Sequence, residues 1–91
     1  MKVMNTGMKL YQVTVNYWGT EDKRLFPTKK MAATFLDWLV RDDNEELRYQ
    51  VDPVDDHGDR LSTCIDNCIH FHYDDSYYGI AEMNLQVIVE K

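Results

Sequence analysis

The stretch CIHFHYDDSYYGIAEMNLQVIV, residues 68 to 89, decides the fold. From Tyr77 to Val89 the odd positions read Tyr, Gly, Ala, Met, Leu, Val, Val and the even ones Tyr, Ile, Glu, Asn, Gln, Ile. That period of two predicts one long strand with its odd face inward. Before it, Ile69, Phe71 and Tyr73 alternate with Cys68, His70 and His72, and the DDS at 74 to 76 is short enough to join the two runs as a β-hairpin. On this reading Ile69, Phe71 and Tyr73 point inward, and Tyr78, Ile80 and Ile88 occupy the outward face of the last strand.

Outward from the hairpin, the segment 61 to 67 is ambiguous. Leu61, Cys64, Ile65 and Cys68 have helical spacing, yet LSTCI followed by Asp66-Asn67 also reads as a strand entering a tight turn, and the strand is the reading taken. LRYQVDPV, 47 to 54, alternates Leu47, Tyr49 and Val51 inward with Arg48, Gln50 and Asp52 outward, so a strand ending at Pro53 or lying on an edge is predicted. DDHGD, 55 to 59, is a loop by composition.

Toward the N-terminus, Ala32, Phe35, Leu36 and Leu39 recur at i, i+3, i+4 and i+7 behind a Pro27-Thr28 entry, which predicts an amphipathic helix over about 28 to 41. Asp42 and Asp43 would sit badly at the negative end of its dipole and are read as its exit. GTEDKR, 19 to 24, reads as a polar turn. LYQVTVNYW, 10 to 18, sets Tyr11, Val13, Val15 and Tyr17 on one face against Gln12, Thr14 and Asn16 on the other, a half-buried strand. The predicted architecture is α+β: a small two-layer domain whose antiparallel sheet of four to five strands, in β-α-β-β-β-β order, carries one amphipathic helix on one face.

The chain has 91 residues, enough for one core, and a domain of that size buries only a little over about 60% of the surface it exposes unfolded. With 44% apolar and 29% charged residues it should fold. Met1, Met4 and Met8 offer three starts, so residues 1 to 8 are expected to be a flexible leader or an alternative start and 9 to 91 the single domain. The longest apolar runs fall far short of the roughly 20 residues that span a bilayer, and no secretory signal core is visible, so a cytoplasmic protein with no membrane partner is expected. Two cysteines in that setting are read as free thiols.

Cys68, His70 and His72, with Cys64 as a fourth donor, have the atom types of a zinc site. Their spacing is not that of the common motifs, since all four lie within nine residues and no C-x₂-C knuckle is present. In the hairpin reading Cys64 falls on the opposite sheet face from the other three, so a three-ligand zinc site at Cys68, His70 and His72 is the alternative function. No cofactor is the leading expectation. Walker A, G-x-G-x-x-G, H-E-x-x-H and EF-hand patterns are absent, and no thiol with a placed base and orienter can be assembled, so the protein is read as not an enzyme.

The net charge of −6 conceals a segregation. Residues 42 to 75 hold eleven acids against Arg48 and Arg60, a net −9, and the remainder holds five acids and eight bases, a net +3. Three Asp-Asp doublets, at 42/43, 55/56 and 74/75, fall in predicted loops that would hold them in water. Solubility alone explains such a surface, but a cluster of carboxylates also attracts Lys/Arg-rich partners and speeds encounter. Basic cellular surfaces are mostly those that hold nucleic acid, and rows of Asp and Glu can imitate the field of DNA, as do DNA-mimic inhibitors that phages deploy against restriction or CRISPR nucleases. A sequence pI near 4.8 argues against direct nucleic-acid binding. The functional expectation is an acidic interaction protein that inhibits a basic, nucleic-acid-handling protein, in the host cytoplasm if phage-encoded. Its contact would use Asp42, Asp43, Glu45, Glu46, Asp55, Asp56, Asp74 and Asp75 around an apolar strip at Tyr78 and Ile80. A homodimer is the other way to cover that strip and Trp18.

Overall fold

Two hairpin turns set the architecture, and both are built from consecutive residues at positive φ. Trp18 and Gly19 (φ 55° and 92°) close one, and Asp74 and Asp75 (φ 51° and 66°) close the other. Two such residues twist with the flanking strands, which is why two-residue loops of this kind make tight hairpins. In the computed structural model, which describes residues 4–89 with side chains described for 8–84, the elements run β1 Met4–Tyr17, β2 Thr20–Phe26, α1 Lys29–Asp43, a 3₁₀ turn Glu45–Leu47, α2 Leu61–Asn67, β3 Phe71–Tyr73 and β4 Ser76–Val89.

The four strands form one antiparallel sheet in the order β2-β1-β4-β3. The α+β two-layer class is therefore as the sequence predicted, and the 74–75 hairpin is present. The path differs. GTEDKR is not a turn: residues 20 to 26 are β2, paired with β1 from Tyr17↔Thr20 to Tyr11↔Phe26. Of the segment expected as a leader, residues 4 to 8 belong to β1, and 1 to 3 lie outside the described residues.

The helix α1 starts where expected. Thr28 is its N-cap, accepting the Met31 N–H on Oγ1 at 3.1 Å. Ala32, Leu36 and Val40 are its fully buried residues and meet Val13 and Val15 of β1, Phe71 of β3, and Tyr78 and Ile80 of β4 in the core. Its end corrects the sequence reading, because Asp42 and Asp43 lie in the last turn and the exit is Asn44. The dipole penalty is offset by local bonds. Asp43 Oδ2 accepts from the hydroxyls of both Tyr17 and Tyr78, and Asn44 Nδ2 donates to Val40 O (2.9 Å) and to the Tyr78 hydroxyl oxygen (3.1 Å).

Residues 47 to 54 are not a strand. Leu47 is buried, but Tyr49 and Val51 are 91% and 98% exposed, so the alternation there does not report burial. The cause is Arg41. Its guanidinium, paired with Asp37 at 2.9 Å, donates to the carbonyls of Arg48 (2.9 Å), Gln50 (2.5 Å) and Val51 (3.2 Å). One side chain thus takes up carbonyls a strand ladder would need and winds the segment into a loop.

Residues 61 to 67 are the helix α2 and not a strand, so the described residues hold two α-helices. Leu61 and Cys64 are its buried face. Arg60 at its N-cap makes no side-chain bond; Asp52 does the capping from outside, accepting Ser62 N–H at 3.0 Å and the Ser62 hydroxyl at 2.6 Å. Those bonds hold the Asp52 carboxyl below the usual range, the Ser62 hydroxyl contributing most. The helix ends on Cys68 in the left-handed region (φ 53°), whose N–H returns to Cys64 O and Ile65 O. β3 consequently begins only at Phe71, and Ile69 is left 40% exposed.

Candidate functional site

The register Tyr17↔Ser76 places the Trp18-Gly19 and Asp74-Asp75 turns side by side at one end of the sheet. The last turn of α1 reaches the same end through the Asp43 bonds to Tyr17 and Tyr78. Chain continuity adds Glu45 and Glu46, and Asp56 is fixed there by accepting the Asp74 N–H at 2.9 Å. The fold thus gathers Asp42, Asp43, Glu45, Glu46, Asp56, Asp74 and Asp75, all exposed. Among the described residues the ion pairs are Lys9–Glu82, Lys23–Glu21 and Arg41–Asp37, and none involves these seven carboxylates.

Their field registers on the tyrosines between them. Burial pushes the Tyr17 and Tyr78 hydroxyls well above their ordinary pKa, with Asp43 reinforcing both. Tyr73 is raised as well, by burial first and then by Glu46, with Asp56 and Asp74 adding. A cleft of about 240 Å³ opens among Tyr17, Trp18, Asp43, Asp74 and Ser76. Its outer lip is Trp18, 77% exposed. Asn, Asp and Gly are the residues that hold positive φ without much strain, so an aromatic side chain at that turn position is unfavourable for the fold.

Asp55 does not belong to this surface. It was expected in water, and it is 6% exposed. Its Oδ1 accepts the N–H groups of His57 (3.0 Å) and Asp59 (2.8 Å), and its Oδ2 accepts that of His72 (3.0 Å). With Asp56 N–H donating to His72 O at 2.8 Å, the 55–59 loop lies along the free side of β3. Tyr78 and Ile80 are likewise inside, 1% and 3% exposed, so they do not form a surface strip. At Tyr78 and Ile80 the even face of β4 is the core face, whereas Glu82 and Asn84 further along are exposed. Ile88 falls outside the residues whose side chains are described.

The metal candidates separate differently. Cys64 is buried, its thiol directed at His70 O (3.6 Å) and pushed up to about 11 by burial and the neighbouring Asp55, Asp59 and Asp52. Cys68, His70 and His72 do border one cavity of about 390 Å³, joined by Asp59 and by His57, which sequence spacing had not linked to them. The imidazoles are occupied with ring contacts: His57 against His72 (4.7 Å between centroids), His70 over Tyr77 (4.7 Å). His70 also lies on Gly79, where a Cβ would stand 2.5 Å from its ring. Among the described residues no three His, Cys, Asp or Glu side chains are grouped to hold a metal ion.

What the geometry defines is a small α+β domain with a carboxylate-rich end centred on an exposed tryptophan. No family model, curated protein or solved structure matches the chain. Among the described residues no helix is long and apolar enough to cross a membrane.

Proposed function

We propose that the protein is a non-enzymatic interaction protein that docks its acidic end on a basic, nucleic-acid-handling protein and blocks the surface that would hold nucleic acid. The observation that carries this reading is the convergence around Trp18 of seven exposed carboxylates, none of them in an ion pair among the described residues. Carboxylates supply steering and register, whereas tryptophan is among the residues that most often dominate binding energy. Trp18 further suits a Lys/Arg-rich surface because an indole face attracts cations. A strained position filled by a large exposed aromatic is a reason to look for function there. On this reading the protein works in the cytoplasm beside its target, and a restriction or CRISPR nuclease would be a target of the right charge.

The test is a pull-down from the native host at low and high salt, followed by association kinetics with the captured protein. Asp74→Asn with Asp75→Asn keeps the turn, since Asn tolerates positive φ, and removes two charges. Association should slow and its salt dependence flatten as the Debye length falls from about 10 Å at 0.1 M to about 3 Å at 1 M. Trp18→Ala should raise the dissociation rate. Unchanged rates and salt slope in both variants would return these acids to a solubility role.

A further inference from the structure

A second surface stands apart from the acidic end. On the face of α1 turned away from the core, Met31, Thr34, Phe35 and Trp38 join Phe26 of β2 in an open apolar groove of about 550 Å³ with Lys30 on its rim. Met31 and Trp38 are 50% and 56% exposed. Phe35 anchors the floor, tilted against Phe26 (5.2 Å) and Trp38 (6.0 Å) with the Arg24 guanidinium 5.2 Å over its ring. No convergent set of polar side chains is present to orient a small ligand, and the groove is shallow.

We propose that this face is covered by a second copy of the chain, α1 packing antiparallel on α1 about a two-fold axis. The argument is the distribution of charge along the helix. Its N-terminal half carries Lys29 and Lys30, and its C-terminal half carries Asp37, Asp42 and Asp43 against Arg41 alone, which is paired with Asp37. Antiparallel pairing centred between Thr34 and Phe35 sets Met31 of one copy against Trp38 of the other. It also sets the basic half of each helix against the acidic half of the other and opposes the two helix dipoles favourably. Parallel pairing would stack like charges instead. Thr34, small and central, lets the helices approach. A single helix pair buries less than the roughly 800 Å² per partner of a standard interface, so association in the micromolar range is expected.

Sedimentation equilibrium of the full chain at low salt tests this. The wild type should form a dimer that weakens at high salt. The double change Met31→Ser, Trp38→Ser should raise the dimer Kd roughly thirtyfold or more with the circular dichroism unchanged. Lys30→Glu alone should weaken self-association at low salt, and its difference from the wild type should shrink at high salt. A wild type that stays monomeric up to its solubility limit overturns the proposal, and so does a dimer indifferent to the Met31, Trp38 change.

Discussion

Replacing Asp55 by asparagine separates a structural acid from a surface one. Asparagine keeps an acceptor for the His57 and Asp59 N–H groups but turns an NH₂ toward the His72 N–H, which Oδ2 now accepts at 3.0 Å. Donor then faces donor at a site 6% exposed. Losing a hydrogen bond to a charged acceptor and stranding a buried donor costs about 1.5–3 kcal/mol. Asp55→Ala removes all three bonds; the loop amides of His57 and Asp59 can recover water, so the net loss is about 2–4 kcal/mol and not three times the single figure. A 91-residue domain has about 5–14 kcal/mol in total, so either change is a large fraction of it. Urea denaturation reads this as a lower midpoint with an unchanged slope. Hydrogen exchange should show the His72 amide losing protection first. Asp75→Asn, at an exposed turn position, should stay within about 0.5 kcal/mol of wild type. If Asp55→Asn matched Asp75→Asn in both measurements, the account of the 55–59 loop would be wrong.

The face assignment of β4 predicts that Tyr78→Ala destabilises by about 3–5 kcal/mol, as loss of a buried aromatic does, while Tyr77→Ala on the opposite face costs about 1 kcal/mol; equal effects in thermal or urea melts would refute it. High pH supplies another check. The Tyr17 and Tyr78 hydroxyls are raised above the ordinary 10.0, so the stability they contribute is fully present below pH 10 and is lost as pH rises through their folded values. These two should ionise only together with unfolding, and a tyrosinate absorbance titration in which both ionise near pH 10 in the folded protein would contradict the Asp43 network.

Much of this was legible in the chain where a short-range rule governs. Thr28 and the Ala32–Leu36 stripe announce α1, and the alternation of Val13 and Val15 announces β1. What escaped is set by single long-range contacts. Arg41 reaches across to the 48–51 carbonyls and cancels a strand pattern; Asp52 caps a helix nine residues downstream and settles an ambiguity that 61 to 67 alone could not. Charge segregation was visible as composition, but its concentration at one end depends on β1 and β4 pairing and on where α1 stops. Trp18 was readable in principle: a Trp-Gly pair between LYQVTVNY and TEDKRLF is a two-residue hairpin loop, obscured because TEDKR is polar on both faces and shows no alternation.

The inversion of β4 came from a single residue of loop length. In a hairpin, directly opposed residues share a face. A three-residue loop at 74 to 76 would oppose Tyr73 to Tyr77 and Phe71 to Gly79, so an inward Phe71 would carry the odd residues of β4 inward with it. The two-residue loop opposes Tyr73 to Ser76 and Phe71 to Tyr78 instead. Phe71 is still inward, so Tyr78 and Ile80 go into the core, and Tyr77 and Gly79 take the other face, where Gly79 makes room for His70. A slip of one residue flips every side chain of a strand. It removes the apolar strip from any interface and leaves Trp18 as the large apolar residue at the acidic end. The same two-residue closure puts both Asp74 and Asp75 at the tip of the hairpin with positive φ and exposed side chains. The register that withdrew Tyr78 from the surface therefore also fixed the acids that remain on it.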